Sequence, residues 1–364
     1  MLEVVAVRLR PGLRVLRRAT DEVQIGTDPR WAVRLTGLTV PEVRALTALD
    51  GGGVLPRMER LTARVDEDGR PCDAVVDLLR QAGLVLDAAP QRSAASVPPL
   101  PSGALADAAA WSLVLDDHDG GGGALVRARA DRVVGFLGAG RLALTAATTL
   151  ASAGVGTVLL DDPSPVTTRD LGAGGLSARD VGSPRAEAAA RLLRDLVPEV
   201  RTSAAERTRP DVVVSVEHAV ADAARARAMM AAEVVHLSVV VREGDVLVGP
   251  LVRPGSSPCL RCLDLHRTAA DPAWPVVAAQ LAASPRQRAV AEESVLAVVG
   301  GGLAAAAVLA QLDGRPPAVV AASLEIALPD VVPRLRRWPV HPDCGCTGLP
   351  AAGVGRPAAG PTGS

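Results

Sequence analysis

Apolar positions along the chain fall into two regimes. From Met1 to about Asp87 they come in short runs broken by turn residues. Leu13–Arg18, Glu22–Gly26 and Trp31–Gly37 each set Val, Leu or Ile between Gly, Pro and Asp, which predicts three short strands. Thr39 followed by Pro41 marks a helix start, with Val43, Leu46 and Leu49 on one face and Gly51–Gly53 as its stop. A second helix is predicted over Arg57–Val65. A third covers Asp73–Ala82, where Val76, Leu78 and Leu79 recur before Gly83 closes it. Residues 1–87 therefore read as a small winged-helix-like α+β unit.

Residues 88–130 carry no sustained period. Ala88–Gly103 is rich in Pro and Ser, and Asp117–Gly123 reads DHDGGGG, so this stretch is expected to be a linker and an irregular segment. The second regime begins at residue 131. Val133–Leu137 is a buried-strand run leading into Gly138-Ala-Gly140-Arg-Leu-Ala143 and a helix to Ala153. Gly154-Val-Gly156 then turns into the strand Thr157–Leu160, which ends on Asp161-Asp162. An acid about twenty residues after the glycines is the spacing of a dinucleotide-binding turn. Arg185–Leu196 predicts a further helix, and Asp211–Val216 and Val234–Val241 two more strands. This βαβαβ order points to a Rossmann-like, mostly parallel sheet over 131–348. The last residues, 349–364, read as a disordered tail.

The longest apolar stretch, Val295–Leu312, just reaches a membrane span in length. Its three adjacent glycines and Ala-rich body predict instead a buried helix of a soluble fold. No apolar run near Met1 has the length of a signal peptide, so the expected setting is cytoplasmic. Composition narrows the chemistry. Of 364 residues, 39 are basic and 40 acidic, a net charge of −1, which argues against nucleic-acid or membrane partners held by bulk charge. Aromatics make up 1%, so the core must be Ala, Val and Leu. The chain has no Lys and no Asn, which excludes mechanisms that require either.

Five cysteines are present. Cys72 stands alone; Cys259-Leu-Arg-Cys262 and Cys344-Gly-Cys346 form two tight pairs. Two such pairs far apart in sequence suit a tetrahedral zinc better than a disulfide framework. His266 and His341 are spare donors that a four-cysteine site does not need. With no open ligand position, the metal is expected to be structural. In the glycine turn, close backbone approach and the helix N-terminus suit a phosphate, and Asp162 suits a ribose hydroxyl.

These residues carry a resemblance. GAGRLA at Gly138–Ala143, LASAGVG at Leu150–Gly156, LLDD at Leu159–Asp162, DVGSPRAEAAARLL at Asp180–Leu193, GPLVRPGSSPCLRCL at Gly249–Leu263 and the helix Ala297–Leu312 together resemble the ThiF/MoeB-type, ubiquitin-activating-like superfamily. The resemblance implies an ATP-binding Rossmann-like sheet, adenylation of a peptide or small-protein C-terminus, and a zinc held by two cysteine pairs. It places ATP, if bound, against Gly138, Gly140, Arg141, Asp162 and Arg185.

The departures from that family matter as much. Arg141 and Ala143 stand where the family has glycines. Its Asn-Leu-x-Arg segment is here Asp170-Leu171-Gly172-Ala173, its helix-start Lys is Arg185, and its magnesium-binding Asp falls at or beside Glu217-His218. An acid at 170 is expected to repel a triphosphate, by several kcal/mol in a partly buried site. No cysteine is spare for a thioester, because Cys72 lies in the first unit. The substitutions imply that adenylation is lost and that no residue is catalytic.

Within the superfamily, the chain is similar to the leader-peptide-binding partner proteins of azoline-forming (TOMM) peptide clusters. In that subgroup a winged-helix clamp precedes a degenerate ThiF-like domain with a four-cysteine zinc. The resemblance implies a precursor leader peptide and a YcaO-type cyclodehydratase as partners, and a homodimer. Trp31–Gly37 and the Asp73–Ala82 helix are the expected walls of the peptide groove. The competing reading is a working adenylyltransferase acting on a peptide or sulfur-carrier C-terminus. A Rossmann dehydrogenase ranks third, for want of a hydride-site constellation.

Overall fold

A computed structural model describes residues 6–50, 73–88, 100, 101, 103–115, 121–283 and 291–348. The chain divides into two compact units, Met1–Arg127 and Ala128–Ser364.

In the first unit, β2 (Val15–Arg17), β3 (Val23–Ile25) and β4 (Val33–Leu35) form an antiparallel sheet in that order. These are the three expected strands. β1 (Ala6–Leu9) pairs with β5 (Val85–Ala88) in a separate ribbon. That ribbon joins short segments some eighty residues apart, a pairing that no local period announces. α1 (Val40–Ala48) starts where Thr39 and Pro41 place it, and the Glu42 carboxylate accepts from the Thr39 N–H at 2.6 Å. α2 is Asp73–Gln81. Val15, Val23, Ile25, Val43, Leu46, Leu49, Leu79 and Leu84 bury together as the core. The predicted helix over 57–65, the stop at 51–53 and Cys72 lie outside the described residues.

Of the expected linker and irregular segment over 88–130, residues 89–99, 102 and 116–120 lie outside the described residues. α3 (Ala104–Val114) and α4 (Gly121–Arg129) occupy much of this stretch, and the glycine run opens α4 instead of forming a loop. The reason is close packing. A Cβ at Gly122 would lie 2.1 Å from the Ala108 carbonyl oxygen of α3, so only glycine permits the approach. Low helix propensity is overridden by what the residue lacks.

The second unit is a seven-stranded sheet flanked by helices. Its elements are β6 (Val133–Leu137), α5 (Arg141–Ser152), β7 (Thr157–Asp161), α6 (Arg185–Leu196), β8 (Val212–His218), α7 (Ala223–Ala231), β9 (His236–Val241), β10 (Asp245–Val252), α8 (Leu260–Ala270), α9 (Trp274–Ala282), α10 (Ser294–Leu312), β11 (Ala322–Ala327) and β12 (Arg334–Arg337). The order is β12-β11-β10-β9-β8-β6-β7. The expected strands β7, β6, β8 and β9 are parallel, and β10, β11 and β12 extend the sheet antiparallel. The sequence pattern does not announce these last three. Gly249-Pro250 inside β10 reads as a turn, yet the ladder absorbs it in a register shift between Val248 and Leu251. That shift leaves Val246, Val248 and Leu251 in the main core and turns Val252 toward the cysteines.

α10 is long and apolar enough to cross a membrane, but Leu296, Ala297, Ala304, Ala305 and Val308 are buried in the sheet's core. Its glycines allow contact with α5. A Cβ at Gly300 would sit 2.9 Å from Leu142 Cδ1, and one at Gly301 2.8 Å from the Leu142 carbonyl oxygen.

Candidate functional site

β6 lies between β7 and β8, so successive crossovers leave it in opposite directions. The carboxyl ends of β6 and β8 meet at this switch point, the place where α/β sheets hold ligands. Gly138 follows β6 with φ of +100°, and a Cβ there would be 2.9 Å from the Val216 carbonyl oxygen. Both the backbone conformation and the contact with β8 require glycine. Gly140 caps α5 in an extended conformation. Its added Cβ would meet Glu292 Oε1 at 2.3 Å.

Glu292 therefore sits at the mouth of the turn. Its Oε2 accepts from the Leu142 N–H, in the first turn of α5, at 2.7 Å. Its Oε1 lies 3.0 Å from His218 Nε2, at the end of β8, and the carboxylate is 8% exposed. Arg141 joins two later segments: Nε and Nη2 donate to the Leu171 carbonyl, and Nη1 donates to the Glu292 carbonyl at 2.9 Å and to Ser294 Oγ at 3.3 Å.

The acids are committed as well. Asp162 accepts from Ala139 N–H and Ser164 N–H, each at 3.0 Å, and meets Arg185 Nη1 at 3.4 Å. Burial pushes its carboxyl up, but the Ala139 and Ser164 donors and Arg185 outweigh burial and hold it below the usual carboxylate range. Asp170 is 2.7 Å from Arg185 Nη2 and accepts from the Thr167 N–H at 2.7 Å. Asp170 is thus paired and not bare, but it shares the one Arg185 guanidinium with Asp162, so the pair of carboxylates keeps a net negative charge. Glu217 pairs with Arg225 Nη1 at 2.8 Å, while burial raises its carboxyl above the ordinary value.

Cys259, Cys262, Cys344 and Cys346 are all buried, with every Sγ within 4.8 Å of the others. Turns after Arg253 and His341 present them, and Cys259 and Cys262 straddle the start of α8. Cys259–Cys344 and Cys262–Cys346 lie at 3.5 Å, too long for disulfides, which need about 2.05 Å. Sulfurs about 2.3 Å from a central zinc would be roughly 3.8 Å apart, so the group fits a tetrahedral ion. Burial pushes the Cys346 thiol up to about 11 and Cys344 higher still, whereas burial at Cys262 is outweighed by backbone hydrogen bonds and the neighbouring thiols, which hold it below the ordinary value; a divalent cation would favour the ionised form of all four. His266 and His341 stay outside the cluster, their rings 4.8 Å apart.

The first unit has a site of its own. A cleft of about 690 Å³ is lined by Leu13, Trp31, Val33, Gln81, Leu84 and Leu113, among others. Arg30 stacks over the Trp31 ring at 4.3 Å. β4 borders it and, among the described residues, is paired on one side only. The predicted walls are both represented, though α2 contributes only its C-terminal end. α3, which the sequence pattern does not predict, supplies Leu113.

Residues 123–346 match the ThiF family. The chain belongs to the ThiF family. No curated protein sequence matches it significantly. Among solved structures it is similar to E. coli MccB with ATP, at 15% identity and a TM-score of 0.63 over 94% of this chain and 100% of that one. It is equally similar to the microcin C7 biosynthetic enzyme MccB in complex with N-formylated MccA, at 14% identity and TM-score 0.63 over 94% and 100%. PaaA follows at 14% identity and TM-score 0.63, over 90% of this chain and 98% of that one. At these identities the likeness is one of fold.

Within this ThiF fold, Gly138, Gly140, Arg141, Asp162 and Arg185 lie about the carboxyl ends of β6 and β7 and the start of α5. Each polar member is engaged by the chain itself. Glu292 is the residue sequence reasoning missed. Its contact with α5 spans 150 residues, and AEES before α10 reads only as a helix start.

Proposed function

We propose that this ThiF-family chain binds the leader of a ribosomal precursor peptide and presents it to a YcaO-type cyclodehydratase, without adenylation activity of its own. The observation that carries the reading is the cleft beside β4 in the first unit. An extended peptide can add by main-chain hydrogen bonds to the edge of β4 that is unpaired among the described residues, while its side chains meet the Trp31 and Leu113 walls. MccB, of the same fold, is solved with N-formylated MccA. In the second unit Arg141 is held by backbone carbonyls and Arg185 by Asp162 and Asp170, which supports a scaffold in place of a catalyst. In this reading the four cysteines hold a structural zinc, and the protein works in the cytoplasm as a homodimer.

The alternative is ATP-dependent adenylation of a peptide or carrier-protein C-terminus, favoured by the structure of MccB with ATP. ATP–pyrophosphate exchange by the full chain with precursor peptide separates the two. No exchange above background is expected, and peptide-dependent exchange would establish the alternative. Trp31→Ala should weaken leader binding by tenfold or more, as loss of a buried aromatic anchor costs about 2 kcal/mol or more. Unchanged affinity would remove the cleft from the account.

A further inference from the structure

The N-terminus of α5 is built as an anion site. It follows a Gly-x-Gly turn at a sheet switch point, and its first N–H groups have no partner within the helix. The Leu142 N–H points instead at the Glu292 carboxylate, at 2.7 Å. A second donor comes from another element, His218 Nε2 at 3.0 Å on the other oxygen. The backbone behind the carboxylate is held too, because Arg141 donates to the Glu292 carbonyl and to Ser294 Oγ. An independent fact concerns Gly140. Any side chain there would collide with Glu292 Oε1, at 2.3 Å for the Cβ alone. The second glycine of the turn thus makes room for a carboxylate of the same chain, in the place where the turn would admit a phosphate.

We infer that Glu292 is the resident anion of this crevice, an autoinhibitory contact that excludes nucleotide phosphates from the α5 N-terminus. The inference deepens the second half of the proposed function, the absence of adenylation, by naming the group that keeps nucleotide out. A phosphate at Leu142 N would overlap the carboxylate and add like charge at contact distance in a crevice where Glu292 is nearly buried. Glu293, its neighbour, is not equivalent: it accepts from Val295 and Leu296 N–H groups and caps α10.

The test is calorimetric titration of the full-length protein with Mg·ATP, in wild type, Glu292→Ala and Glu292→Gln. Alanine removes both bulk and charge. Glutamine keeps the acceptor for Leu142 and the shape but discharges it, so it remains informative if the alanine variant fails to fold. Wild type should bind only weakly, and both variants should bind roughly tenfold to a hundredfold more tightly, alanine more than glutamine. Two results overturn the inference. If wild type binds as tightly as the variants, Glu292 is no barrier, and the reading without adenylation falls with it. If folded variants bind no better than wild type and none binds, the crevice is closed by other residues, and the proposed function stands without this contact.

Discussion

Glu292 and His236 show what single residues contribute beyond their motifs. His236 is fully buried in β9; its Nδ1 lies 2.8 Å from the Val234 carbonyl, and burial lowers its ring below the ordinary value of 6.5. The folded state then favours the neutral ring, so the unfolded chain binds the extra proton more readily. The stability from this group is complete above about pH 6.5 and is lost as the pH falls toward the depressed folded value. Urea melts of wild type and His236→Leu between pH 7.5 and 5.5 should show a stability decline in the former that the latter lacks; equal slopes would count against burial as the cause. Cys344 makes the second residue-scale prediction. Cys344→Ser should release about one equivalent of zinc per chain, read by elemental analysis, and lower the melting temperature; unchanged metal content would refute the site. The two cysteine pairs were legible from spacing alone. Gly138 and Asp162 were legible from a local turn. Glu292 was not, because its meaning lies in a partner 150 positions away.

At the level of elements, strands and helices with strong local periods appeared where the pattern placed them. β6 and α6 carry the predicted bounds, Val133–Leu137 and Arg185–Leu196. What escaped were elements defined by contact. β10 holds a Gly-Pro pair that only a bulge accommodates, and α4 opens on glycines that only α3 explains. A buried ion pair ties the end of α10 to Arg129: Asp313 meets Arg129 Nη2 at 2.8 Å, both side chains 1% exposed. Asp313→Ala should destabilise the protein by about 3–5 kcal/mol, because it removes the counter-charge of a buried guanidinium that keeps only neutral partners such as the Ala153 carbonyl. Denaturant unfolding checks this, and a loss below about 1 kcal/mol would mean that Arg129 finds other compensation.

The whole molecule combines a unit with an open cleft and a ThiF-family unit whose crevice is filled by its own side chains. Composition foretold the second unit's Ala-, Val- and Leu-built core, and the order of elements foretold its fold. Side-chain placement separates the two: Trp31, Val33 and Leu113 line a cleft, whereas Arg185 bridges Asp162 and Asp170 and Arg141 donates to the Leu171 and Glu292 carbonyls. The central claim is that the protein holds a peptide without needing a nucleotide. Fluorescence anisotropy of a labelled precursor leader peptide titrated with full-length protein, with and without Mg·ATP, tests it most directly. The account predicts saturable binding with the same Kd in both titrations. Binding that appears only with Mg·ATP, or no binding in either, would contradict it.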